Sequence, residues 1–134
     1  MQTWIRDCGR IATWLAVLIL AVLSLVPGEL RPHTFMPGRL EHFMAYGLTG
    51  CAIAIGYPTH RIRWIWWVAL TLTALAFEYL QSLIPDRSPS IYDALASYTG
   101  LAVGVIFVGL AVDRWFRSFE TSGQANRSRT EGRA

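Results

Sequence analysis

The chain contains no lysine; all twelve of its basic residues are arginines. Charge of either sign is scarce, at 16% of residues against 53% hydrophobic, a balance too apolar for an ordinary soluble fold. Ile11 to Gly28, Phe43 to Thr59 and Ala94 to Val112 carry no Asp, Glu, Arg or His, and Trp64 to Pro85 carries only Glu78. The two cysteines, Cys8 and Cys51, sit in no CxxC or other metal spacing, so neither a thiolate metal site nor a disulfide is expected. No small-x-small cleavage pattern follows Val26, where the sequence reads Pro27-Gly28-Glu29, so the first apolar run reads as a retained span rather than a signal peptide. No basic stripe interleaves with aromatics, so the positive charge is no evidence for nucleic acid, and no nucleic-acid partner is expected.

At about 1.5 Å rise per residue, the longer charge-free runs reach roughly 30 Å, the thickness of a bilayer core. They predict a single-domain, all-α membrane protein with four transmembrane helices, over about 11–28, 43–59, 64–84 and 92–112. The transmembrane domain takes residues 1–117, and the polar Gly/Ser/Arg-rich tail 118–134 is expected to be disordered. Nine arginines fall on the side that carries both termini and the loop containing Arg61 and Arg63. Three, Arg31, Arg39 and Arg87, fall on the other. This bias puts both termini in the cytoplasm, and the excess positive charge reads as topology and contact with anionic membrane lipids. Trp64, Trp66 and Trp67 are expected to form an aromatic belt at the inner surface.

With that topology the unusual polar residues gather near the outer surface. His42 and Tyr46 are spaced i, i+4 at the start of span two, and Asp93 and Ser97 likewise at the start of span four. Glu78 and Gln81 lie near the outer end of span three, Glu78 about 10 Å below the turn "PDRSPS", which carries Arg87. Each has a plain explanation and a functional one. Ser90 and Asp93 have capping-box spacing, Arg87 can snorkel to headgroups, His42 can be a satisfied hydrogen-bonding histidine, and Gln81 can bridge helices. Glu78 is harder to dismiss, because a carboxylate two turns into a span costs about 2.5 kcal/mol or more unless it is paired, protonated or hydrated. Gly100 and Gly104 form a GxxxG for close helix packing, within this chain or with a second copy as a homo-oligomer.

Two blocks, "GRLEHFMAYGLTG" and "FEYLQSLIPDRSPSIYDALASYTGLAVG", resemble the VanZ-like family of small bacterial integral membrane proteins. The matching positions are His42, Tyr46, Glu78, Gln81, Arg87, Ser90, Asp93, Gly100 and Gly104. Together with the four-span layout, the resemblance covers residues 11 to about 115. Three positions depart from it: Gly38-Arg39 stand where that family often has an Asp-Lys pair, and Ser97 stands where an asparagine is common. The family takes its name from a teicoplanin-resistance accessory protein, and the resemblance implies a multi-pass protein of the bacterial inner membrane with a role in the cell envelope. The expected function is to bind an anionic lipid headgroup, lipid-linked glycan or glycopeptide-like ligand in an outer-facing polar pocket, affecting glycopeptide susceptibility. His42, Tyr46, Glu78, Gln81, Arg87, Ser90 and Asp93 would line that pocket, with no cofactor. The alternative is a membrane-embedded hydrolase or transferase acting on a lipid phosphate or glycan, with His42, Glu78 and Asp93 as catalytic candidates. A third reading is a transporter or assembly subunit. A metal site built from His42, Glu78 and Asp93 is conceivable, but the three have no diagnostic ligand spacing.

Overall fold

A computed structural model of the chain describes residues 2–26, 37–83 and 90–118. The described residues are all helical apart from short turns. Helix α1 spans Gln2–Leu25, α2 Gly38–Gly56, α3 His60–Gln81 and α4 Ile91–Ser118. Within α4, an α-helical stretch over Ile91–Val103 widens to a π-helical one over Gly104–Val108 and then tightens again. The loop 27–36, the "PDRSPS" residues 84–89 with Arg87, and the tail from 119 lie outside the described residues.

The helices outrun the charge-free stretches. Helix α1 begins at Gln2 rather than near Ile11, α2 at Gly38, α3 at His60, and α4 runs six residues past Val112. Charged residues delimit what is apolar, not what is helical: arginine and glutamate are good helix formers and extend each end. Helix α2 stops at Gly56, two residues before Pro58, which disfavours helical backbone at the residue preceding it. The turn into α3 is only Tyr57 to Thr59.

Backbone approach organises the packing. Helix α2 lies between α1 and α4 and makes most of the interhelical contacts. A Cβ on Gly50 would lie 2.6 Å from the Leu101 carbonyl oxygen, and one on Gly100 or Gly104 would run into the Phe43 or Gly47 carbonyl. The partner of the Gly100/Gly104 pair is therefore α2 of the same chain, which runs parallel to α4. At the opposite end, a Cβ on Gly9 would lie 2.6 Å from the Gly56 nitrogen, so α1 and α2 also touch backbone to backbone. Small residues allow such approach and let dispersion act over a large area.

The interior is small and mixed. Ile53, Ala54 and Leu101 are wholly buried with Tyr46, Leu70 and Ala74 close by, but so are Thr13, Thr49 and Ser97. Thr13 and Thr49 satisfy their hydroxyls on the carbonyls of Gly9 and Ala45, one turn back. The apolar bulk faces outward instead: Leu18, Ile19 and Val22 on α1, Leu48 on α2, Leu72 and Leu75 on α3, and Ile106 and Phe107 on α4 are all exposed. Two helices, α1 over Thr3–Leu25 and α4, are long and apolar enough by length and composition to cross a membrane.

Arg63 ties three helix ends together. It is 3% exposed. Its Nη1 and Nη2 donate to both carboxylate oxygens of Asp113 on α4 at 2.9 Å. Its Nε donates to the Tyr57 carbonyl at 2.7 Å and Nη2 to the Ala54 carbonyl at 3.0 Å. The guanidinium thus closes the C-terminus of α2, where helical carbonyls lack partners, while its charge meets the carboxylate. Arg63 is turned inward, away from any lipid surface. Trp66 and Trp67 also turn inward, Trp66 against Trp14 and Trp67 against Tyr98, which leaves Trp64 as the exposed member of the expected belt.

Four substitutions test this packing. Gly104→Ala should destabilise the protein by about 1–2 kcal/mol in detergent thermal melts, overpacking outweighing the gain in helix propensity. Gly38→Ala, where a Cβ meets nothing within 4 Å, should stay within about 0.5 kcal/mol of wild type. Arg63→Ala strands Asp113 and should cost about 3 kcal/mol, and Arg63→Lys about 2 kcal/mol, because an ammonium cannot make the same fork of bonds.

Candidate functional site

At the end of the helices opposite Arg63, α2, α3 and α4 each contribute one titratable side chain to a single group. His42, Glu78 and Asp93 are half-buried, and their candidate ligand atoms lie within 4.8 Å of one another. The arrangement follows from the glycine contact between α2 and α4. Phe43 sits against Gly100, so its neighbour His42 comes opposite Ser97, one turn earlier on α4. The His42 Nδ1 is 3.2 Å from the Ser97 hydroxyl. That hydroxyl donates its single proton to the Asp93 carbonyl oxygen at 2.9 Å, so towards the imidazole it can only accept. In the neutral ring the proton is then on Nδ1 and the lone pair on Nε2.

Glu78 reaches the start of α4 from α3. One of its carboxylate oxygens accepts the Ser90 backbone N–H at 2.9 Å. Ser90, at the cap position, makes no side-chain capping bond. The Ser90/Asp93 spacing therefore does not act as a capping box: the donor at the helix end is met by a carboxylate from a different helix, which also sits favourably at the positive end of the α4 dipole. Asp93 lies in the first turn of α4, where the same dipole favours it.

The remaining nominated residues divide between two places. Tyr46 is buried one turn below His42 on α2. Gln81 is buried but engages α1, its Nε2 donating to the Ser24 carbonyl at 3.2 Å, so it joins α3 to α1. Arg87 lies outside the described residues. Arg39, at the first turn of α2, stacks its guanidinium 4.6 Å from the ring centre of Tyr92, the residue before Asp93. It places a cation on this end of the molecule.

A groove of about 260 Å³ lies elsewhere, between α3 and α4 towards the Arg63 end, lined by Trp64, Trp67, Tyr98, Val105 and Gly109 among others. It is apolar, and none of the nominated residues lines it. The Arg63–Asp113 pair beside it is the polar constellation that sequence reasoning missed. Its signal was two opposite charges at the same end of successive helices; Arg63 reads in the sequence only as a topology charge, and nothing there singles out Asp113.

Stability should report the unusual cap. Glu78→Ala should cost about 1 kcal/mol or more in thermal melts, and Glu78→Gln, which keeps an acceptor for the Ser90 N–H, should cost less. Ser90→Ala should change stability by less than about 0.5 kcal/mol.

No family model, no characterised protein and no solved structure matches this chain, so its function is argued from its own geometry.

Proposed function

We propose that the chain is a multi-pass protein of the bacterial inner membrane, of VanZ-like type, that binds the phosphate-bearing headgroup of a lipid or lipid-linked glycan at the His42 end. Four helices would cross the bilayer, with both termini cytoplasmic. Lipid as solvent is supported by the distribution of side chains: Thr, Ser, Gln and Arg share the interior with a few apolar residues such as Ile53 and Leu101, while large apolar side chains face outward on all four helices. Only 22% of the α1 window and 28% of the α4 window is buried, whereas the core helix of a soluble protein would be mostly buried. An apolar exterior on this scale exceeds what a water-soluble monomer tolerates.

The observation that carries the binding reading is the convergence of His42, Glu78 and Asp93 from three helices at one level. Ionisable groups at membrane depth are costly and mark sites of function. Arg39 stacks on Tyr92, the residue before Asp93, at the helix ends, and Arg87 follows Glu78 by nine residues; both suit phosphate, which guanidinium binds through paired hydrogen bonds. The same trio favours a second reading, hydrolysis or transfer on that phosphate, with His42, oriented by Ser97, as acid/base and Glu78 as a base beside it.

Native mass spectrometry of the detergent-solubilised protein tests the binding. Polyprenyl phosphate and phosphatidylglycerol should bind the wild type more tightly than the zwitterionic phosphatidylethanolamine. Arg39→Ala and Arg87→Ala should each weaken binding about tenfold, the equivalent of one charge-assisted contact of about 1.4 kcal/mol. Equal retention of all three lipids would sink the reading. Turnover of polyprenyl phosphate by the wild type that is lost in His42→Ala would replace it with the enzymatic one.

A further inference from the structure

We propose that His42, Glu78 and Asp93 together hold one divalent cation of intermediate softness, Zn²⁺ or Mn²⁺. The cation lies in the same site as the headgroup reading and supplies the positive charge by which two carboxylates tolerate a phosphate nearby.

Charge balance is the first reason. Two carboxylates and an imidazole have ligand atoms within 4.8 Å of one another and are only partly open to solvent. Among the described residues the Glu78 carboxylate accepts one backbone N–H, from Ser90, and no arginine forms an ion pair with Glu78 or Asp93. Like charges this close at low dielectric need a proton or a cation between them. The Arg63–Asp113 pair shows how the other end of the same protein meets that requirement, with a guanidinium on both oxygens.

The second reason is the tautomer of His42. Ser97 gives its proton to the Asp93 carbonyl and accepts from Nδ1, which puts the imidazole lone pair on Nε2. Metal-binding histidines are fixed in this way, with one ring nitrogen donating to a protein oxygen while the other ligates. Here the orienting hydroxyl is itself 1% exposed and bonded to the backbone of the residue that supplies another ligand. One imidazole with two carboxylates suits Zn²⁺ or Mn²⁺ better than Ca²⁺ or Mg²⁺, which prefer an all-oxygen shell.

Size is compatible. Bonds of about 2.1 Å put two ligand atoms at most about 4.2 Å apart, so the trio closes by about half an ångström on loading. Sequence spacing could not show this site, because its three ligands come from three helices rather than one short motif.

The test uses the full-length, tag-free protein in phosphatidylcholine nanodiscs, stripped with a chelator and then exposed to Zn²⁺ or Mn²⁺. One equivalent of one of these should remain per chain after desalting, counted by plasma mass spectrometry. Competition with a chromophoric chelator should show affinity falling tenfold or more in each of His42→Gln, Glu78→Gln and Asp93→Asn, and in the positioning variant Ser97→Ala. His60→Ala, beside Asp113, should leave the affinity unchanged. Less than one equivalent in the wild type, or a smaller fall in any of the three ligand variants, would overturn the site. X-ray absorption of the loaded wild type gives a readout that needs no variant: a shell of oxygen and imidazole nitrogen is expected, and sulfur in it would also overturn the proposal. A bound cation without headgroup binding would remove the headgroup reading alone, and headgroup binding by the stripped protein without a cation would remove only the cation.

Discussion

Everything at the His42 end depends on how closely α4 can approach α2. At Gly47, Gly50, Gly100 and Gly104 the two backbones meet with no side chain between them, and at Gly50, Gly100 and Gly104 even a methyl group would collide with a carbonyl. Such contact leaves little freedom of register, because a slip of one residue would bring a side chain into the space a glycine vacates. With Phe43 set against Gly100, His42 has Ser97 as its neighbour, and the imidazole becomes oriented. Helix α3, by contrast, has fewer contacts with α2 and is held by apolar packing of Leu70, Ala74, Trp66 and Trp67 together with polar ties: Arg63 at one end, Glu78 and Gln81 at the other. The glycine seam fixes α2 against α4, and side-chain packing with hydrogen bonds at both ends locates α3.

The two ends of the molecule handle buried charge in opposite ways. Around Arg63, donors and acceptors nearly cancel: a guanidinium meets one carboxylate and two helix-terminal carbonyls. A satisfied network of this kind has structural work to do and no evident capacity for a ligand. Around His42 the acids outnumber the bases among the described residues: a backbone N–H meets the Glu78 carboxylate, while the imidazole turns its Nδ1 to the Ser97 hydroxyl. Imbalance of this sort costs stability unless something else completes it, which is why it points to function.

Much of the fold was legible because hydrophobic runs free of charge are long and few. The helix ends were not, since arginines and glutamates that close an apolar run also continue a helix, as Gln2 to Arg10 do in α1. The meeting of His42, Glu78 and Asp93 could be anticipated from topology, but their partners could not. A capping-box spacing at Ser90 looked local, whereas the acceptor actually used arrives from twelve residues earlier on another helix. Gln81 shares a helix end with Glu78 yet turns to Ser24, a distinction set by the position of α1 and invisible in spacing alone. Arg63, fifty residues from Asp113, counted in the sequence only towards topology, because the geometry that pairs the two is wholly tertiary.

The π-helical stretch of α4 has a consequence for phase. Residues of an α-helix advance about 100° each, so Gly104, four beyond Gly100, stays on the same stripe, but Gly109, five further on, would drift about 140° away. A π turn absorbs one residue per turn, and Gly109 returns to the stripe, where it meets Ala54 and the Arg63 guanidinium. Asp113, one α-turn beyond, is carried round with it to its partner. The wide turn thus acts as a phase shifter that lets one helix keep a glycine seam with α2 and a carboxylate for α3. Forcing the same residues into a regular α-helix would swing everything after Gly104 by about 100° and separate the two ends of the molecule into incompatible registers, whereas deleting one residue between Gly104 and Gly109 would let a regular helix keep Gly109 on the stripe.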